Sequence, residues 1–191
     1  MSDKLSPIQR HKCMSHIRAK NTKPEMVVRR WLWSEGWRYR LYVSGFLGKP
    51  DIVIRKIKTV IFVNGCFWHG HNVEAVGTEP GTHGVVELQD SSCCKIPHTN
   101  REFWLRKITR NRQRDYRNYA AYHQAGWRVL VVWECMLKPK CREQTLMALS
   151  QRLNEIFLDT VRKRKPKIYK CPEDDSSYTM AAEPEVDDYR K

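Results

Sequence analysis

The stretch from Trp127 to Trp133, reading WRVLVVW, constrains this chain more than any other segment. A nearly continuous apolar strand has no polar face to give to water, so it must be covered on both sides, which calls for helices above and below a sheet. The surrounding sequence supplies them. Ser6-Pro7 reads as an N-cap and first turn for a short, very basic helix over Ile8 to Ala19. Thr22-Lys23-Pro24-Glu25 has capping-box spacing and opens a second helix that Glu35-Gly36 stops. Arg38 to Tyr42, Asp51 to Ile54 and Thr59 to Val63 read as strands, the last two as a hairpin across a short basic turn. Thr99-Asn100-Arg101-Glu102 repeats the capping-box pattern ahead of a long helix reaching about Ala125, with Gly126 as its stop. Gln144 to Val161 is amphipathic through Leu146, Leu149, Leu153, Ile156 and Phe157. This order predicts an α/β fold, a mixed central sheet flanked by helices.

Charge narrows the partner. Thirty-five Lys and Arg stand against 21 Asp and Glu, a formal +14, and residues 172–191 alone hold seven of the acids against two of the bases. So basic a body suits a polyanion, because each cation that meets a phosphate releases condensed counterions. No run of about eighteen apolar residues is present and the first residues lack the apolar stretch of a signal peptide, so a cytoplasmic protein away from membranes is expected. Seven cysteines in that compartment read as metal ligands or buried thiols rather than disulfides. Three regions are expected: a basic N-terminal helix over 1–21; a folded body over 22–162 with an inserted loop at 74–92; and a basic, then acidic, disordered tail over 163–191.

The chemistry-bearing residues cluster. Pro50-Asp51 begins one hairpin strand and Phe62-Val63-Asn64 ends the other, so a carboxylate and a strand end converge where PD-(D/E)xK nucleases hold Mg²⁺. The second carboxylate and the lysine of that pattern are missing, but Mg²⁺ keeps several waters, and one Asp with a backbone carbonyl can complete its shell. Gly65-Cys66-Phe67-Trp68-His69-Gly70-His71 then places a thiol, two imidazoles and two large rings directly after a buried strand. Cys66 and His71, with Cys135 and either Cys93 or Cys94, are a candidate tetrahedral Cys₃His zinc set. His69 is a candidate general base for water attacking phosphorus. Phe67 and Trp68, at a strand exit, suit a wedge between base steps. On the long helix Trp104, Ile108, Asn111 and Asp115 share one face, ringed by Arg101, Arg106, Lys107, Arg110, Arg112, Arg114 and Arg117, enough charge to follow a phosphate backbone.

Taken together, Pro50-Asp51, the GCFWH run, TNREFW, Asn111 through Asp115 and Trp133-Glu134-Cys135 resemble the very-short-patch-repair (Vsr) endonuclease family over roughly residues 8–160. The resemblance implies a restriction-endonuclease-like fold with a structural zinc, and a Mg²⁺-dependent nick 5′ of the thymine in a T:G mismatch left by 5-methylcytosine deamination. It further implies a monomer acting on double-stranded DNA, in functional company with a DNA cytosine methyltransferase. Carried over by position, Asp51 and the Val63 carbonyl bind Mg²⁺, His69 is the base, and Glu25 orients it by a hydrogen bond. Phe67, Trp68 and Trp104 form the intercalating wedge and Met14 enters from the other groove. Asp115 is an acid needed for activity, and Cys66, His71 and Cys135 bind zinc. Asn64 stands where the best-known members carry a second active-site histidine, expected to pair with the acid at Asp115, and an amide holds no titratable proton. Val73 stands where a third zinc ligand is expected, which moves that role past the insertion to Cys93 or Cys94. Two other readings fit the same residues: a restriction-type PD-(D/E)xK nuclease of different specificity, and a zinc-stapled DNA-binding module without turnover.

Overall fold

A computed structural model of the chain describes residues 6–15, 20–71 and 93–163. The expected insertion at 74–92, with Val73, and nearly all of the expected tail lie outside the described residues. Among the described residues, five α-helices and three strands follow in order: α1 (Pro7–Ser15), α2 (Lys23–Ser34), β1 (Ile52–Ile54), β2 (Thr59–Asn64), α3 (Cys66–His69), α4 (Arg101–Gln124), β3 (Arg128–Trp133) and α5 (Arg142–Arg162). Their bounds are local chemistry. Ser6 caps α1, its Oγ accepting from the Gln9 amide while the Gln9 side chain accepts from the Ser6 amide. Thr22 does the same for α2, accepting from the Glu25 amide at 3.4 Å. The second expected box does not form: Asn100 sits in the left-handed region at φ 56° and α4 begins without a side-chain cap.

The sheet is three-stranded, in the order β1-β2-β3, with β2 antiparallel to β1 and parallel to β3. A parallel neighbour demands a crossover, and α3 and α4 provide it. The segment Arg38 to Tyr42 contributes only one bridge, Arg40 to Val53, rather than a strand; Tyr42 turns left-handed at φ 51° and ends the pairing.

Alternation along the strands builds two cores. Ile52, Ile54, Ile61, Leu130 and Val132 point to one face and pack with Val28 and Leu32 of α2 and Leu146, Leu149, Leu153 and Ile156 of α5. Val53, Val60, Phe62 and Val131 point to the other and pack with Tyr119 and Tyr122 of α4. Both faces of β3 are thereby covered, as its apolar run requires. The Trp31 indole N–H donates to Ser150 Oγ at 2.8 Å and ties α2 to α5. This three-layer arrangement leaves the C-terminal end of β2 open to α4, and α3 lies there.

Candidate active site and metal centre

Four residues are too few to hold a helix by themselves. α3 is held instead by α4, which grips three successive residues. Asn111 Nδ2 donates to the Trp68 carbonyl at 2.9 Å, Arg112 Nη1 donates to the Gly70 carbonyl at 2.8 Å, and the Asp115 carboxylate takes His69 Nδ1 at 2.5 Å. The face of α4 bearing Trp104, Ile108, Asn111 and Asp115 is therefore turned to α3, and Asn111, expected to contact DNA, gives an amide N–H to the Trp68 carbonyl. Gly70 ends the turn at φ 62°, and a Cβ there would lie 2.5 Å from Ile108 Cγ2, so glycine is required on both counts.

Asp51 is aimed by a backbone irregularity. The register pairs Ile52 with Ile61, yet the Asp51 amide also donates to the Ile61 carbonyl, the two-against-one arrangement of a β-bulge. The bulge swings the side chain along the strand edge, where its carboxylate accepts the Val63 amide at 2.7 Å. A strand residue's N–H and C=O leave on the same side, so the Val63 carbonyl faces the same edge. Pro50 has no N–H to offer it, and the Lys49 amide is turned to Phe46. A hard carboxylate and a hard carbonyl oxygen side by side fit Mg²⁺. Burial, resisted by the Val63 amide, pushes the Asp51 carboxyl up to about 6; Glu25 raises it further while Arg29 and His69 lower it.

Glu25 is not bonded to His69, the contact that the resemblance implied. Its carboxylate accepts the Asn21 amide, the Thr22 hydroxyl and Arg29 Nη2, the last at 2.7 Å between two buried groups. An arginine one turn along captures the acid before His69 can, and Asp115 orients the imidazole instead. Asn64 is not directed at Asp115 either: it is buried and donates to the Tyr119 hydroxyl at 3.0 Å.

Beside α3 the Cys66, Cys93 and Cys135 sulfurs and a His71 ring nitrogen all lie within 4.8 Å of one another. The three sulfurs stand 3.7, 3.2 and 3.3 Å from His71 Nδ1. A tetrahedral zinc with ordinary Zn–S and Zn–N bonds separates sulfur and nitrogen by about 3.6 Å, so the set fits. Of the two adjacent thiols it is Cys93 that converges, while Cys94 Sγ approaches the Phe67 carbonyl at 4.0 Å. The Cys135 thiol and burial together push Cys66 up to about 12. Trp133 stacks on His71 at 4.1 Å between ring centres and fixes its plane.

The rings of Phe67, Trp68 and Trp104 form a partly exposed edge-to-face cluster, with centres 5.0 to 6.1 Å apart. Phe103 extends it into solvent, and Lys107 lies over Trp68, Phe103 and Trp104. Arg101, Arg106, Lys107, Arg110, Arg114 and Arg117 are exposed, whereas Arg112, expected among them, is half-buried against α3. The Met14 side chain lies outside the described residues.

The family model described as DNA mismatch endonuclease Vsr matches residues 2–75. A type II nicking enzyme of Neisseria meningitidis, V.NmeAIP, is 43% identical over 75% of this chain and 91% of its own length. The chain belongs to the Vsr endonuclease family. V.XorIIP, a type II nicking enzyme of Xanthomonas oryzae, is 41% identical over 82% of the chain and 98% of its own length, and the Escherichia coli DNA mismatch endonuclease Vsr is 34% identical over 81% and 87%.

Within this Vsr-family site, three residues escaped sequence reasoning. Arg29 was legible as the i+4 partner of Glu25. Trp133 read as the end of a strand, and nothing in its neighbourhood marks it as the ring stacked on His71. Arg112 was one of seven similar cations, and only its burial separates it from the rest.

Proposed function

We propose that this Vsr-family protein is a DNA endonuclease that nicks one strand of a duplex 5′ of the thymine in a T:G mismatch. The observation that carries the reading is the convergence, on one four-residue turn, of a base and a wedge. Phe67 and Trp68 directly precede His69 in sequence, and the His69 imidazole acts electrostatically on the Asp51 carboxylate. With Nδ1 donating to Asp115, the lone pair of His69 stays on Nε2 and is free to accept the proton of a water as it attacks phosphorus and a P–O bond breaks. Asp51 and the Val63 carbonyl would hold Mg²⁺, which supplies Lewis-acid polarisation of the phosphate when bound. Phe67, Trp68 and Trp104 would open the step beside the mismatch, with Met14 entering from the opposite groove. Unstacking is least costly at a mismatched step, which favours the lesion over intact duplex. Cys66, His71, Cys93 and Cys135 would hold zinc and anchor α3 to Glu134–Leu137, the turn after β3.

The same reading includes a restriction-endonuclease-like fold for the body, a DNA-contacting role for 1–21, and action as a monomer alongside a cytosine methyltransferase. The test is nicking of T:G duplexes with randomised flanks, against matched duplex, with Mg²⁺ and with Asp51→Ala. Mismatch-dependent nicking by wild type, with Asp51→Ala binding but not cutting, supports the proposal. Cutting of matched duplex favours the restriction-type alternative, and tight binding by wild type without a nick favours the non-catalytic one.

A further inference from the structure

Arg112 stands apart from the other cations of α4. It is half-buried, and its guanidinium is used on both sides: Nη1 donates to the Gly70 carbonyl at 2.8 Å, while Nε and Nη2 reach the Tyr116 hydroxyl at 3.2 and 2.5 Å. Tyr116, one turn along the helix, thus braces the fork from behind. The carbonyl it holds belongs to the residue that closes α3, where a four-residue helix has orphan acceptors and no turn of its own to satisfy them. Asn111 takes the Trp68 carbonyl beside it, and Asp115 takes the imidazole between them. Wedge, base and chain exit are therefore bonded one after another to a single rigid helix.

We infer that Arg112, braced by Tyr116, is a positioning residue: it clamps the Gly70 end of α3 so that seating of the Phe67/Trp68 wedge and alignment of His69 occur as one event. The inference rests on the reading of α3 as the reacting turn. Its setting is distinct from that of the exposed arginines, because three of its five N–H donors are spent on a carbonyl and a phenol and the side chain is half-buried against α3. A displacement of the turn by a fraction of an ångström moves Nε2 off the attacking water, while phosphate contacts elsewhere on α4 are untouched.

Two measurements on Arg112→Ala, Tyr116→Phe and, as a control, Arg110→Ala decide it. The first uses free, zinc-loaded protein. Hydrogen exchange at the His69 and His71 amides, which are bonded to the Gly65 and Cys66 carbonyls, is expected to speed up by about tenfold or more in Arg112→Ala and less in Tyr116→Phe. The β2 and β3 amides should be unchanged. The second uses T:G duplex with 2-aminopurine beside the mismatch. At saturating protein, Arg112→Ala is expected to lose about tenfold or more in nicking rate and part of the fluorescence rise, with an unchanged salt slope of binding. Arg110→Ala, at an exposed cation of the same helix, should lose affinity and about one unit of salt slope with unchanged exchange at His69 and His71. Unchanged exchange at His69 and His71 in Arg112→Ala overturns the clamp, as does a reduced salt slope with a normal saturated rate. Should Arg112→Ala fail to fold, Tyr116→Phe carries both readouts. Wild type that neither nicks nor unstacks the duplex refutes the functional reading alone, since the exchange result still decides the clamp.

Discussion

His69 Nδ1 lies 2.5 Å from the Asp115 carboxylate, although 46 residues separate them, and both side chains are mostly covered. The acid fixes the ring plane, so under the proposed function it is Asp115, and not Glu25, that orients the imidazole. Asp115→Asn should therefore lower the saturated nicking rate by about 100-fold or more while binding changes little. Glu25→Gln should behave differently. It leaves the buried Arg29 guanidinium without its counter-charge, at a cost on the order of 3 kcal/mol, which appears in the thermal midpoint before the rate. A Glu25 variant with normal stability and a rate as low as that of Asp115→Asn would reverse the two roles.

Asp51 makes pH a lever on both stability and activity. Its carboxyl is pushed up to about 6, so the folded protein binds this proton more tightly than the unfolded chain does. Without metal, the resulting contribution to stability is complete below a pH of about 4 and is lost as pH rises through about 6. Metal-free wild type should accordingly lose thermal stability relative to Asp51→Asn over that window. Mg²⁺ competes for the same oxygen with the opposite sign. At limiting Mg²⁺ the nicking rate should fall as pH drops through about 6, and excess Mg²⁺ should move the fall to lower pH. A fall insensitive to Mg²⁺ concentration would place the titration elsewhere.

The Cys66, His71, Cys93 and Cys135 set predicts one zinc per chain by elemental analysis. Chelation, or Cys66→Ser, should release the turn carrying His69 together with Glu134–Leu137, and the protein should unfold or aggregate rather than lose one kinetic step. Cys94→Ser should keep both zinc and fold. If Cys94→Ser loses the metal and Cys93→Ser retains it, the assignment between the two thiols is the reverse.

Gly70→Ala combines two costs: a left-handed conformation at φ 62° and a methyl set 2.5 Å from Ile108 Cγ2. The strain alone is worth about 1 to 3 kcal/mol. Ile108 is fully buried and can yield little, so the turn must lift from α4. Both the thermal midpoint and the nicking rate should drop. Gly36→Ala, at φ 82° with open space around it, should lower only the midpoint.

Much of the fold was legible because it obeys local rules. Ser6 and Thr22 cap where side chains of that kind cap, Gly36 and Gly126 end helices where a positive φ is needed, and the apolar run of β3 found cover on both faces. Where local rules misled, a neighbour decided. Thr99 was bypassed because Asn100 took the left-handed turn, and Arg38 to Tyr42 kept a single bridge because Tyr42 turned away.

By itself, the sequence determined the inventory: alternating strands, a lone aspartate at a strand start, one imidazole among rings, and more thiols than a core needs. Periodicity and residue type are properties of neighbours along the chain, so they survive without coordinates. Only the tertiary structure decided who touches whom. Arg29 claimed Glu25, Asp115 claimed His69, Cys93 rather than Cys94 closed the metal set, and Arg112 left the basic surface to hold Gly70. Each of those choices is a competition between several groups of the same chemical kind, and it is settled by distance and burial, which depend on how β2, α3 and α4 meet in space.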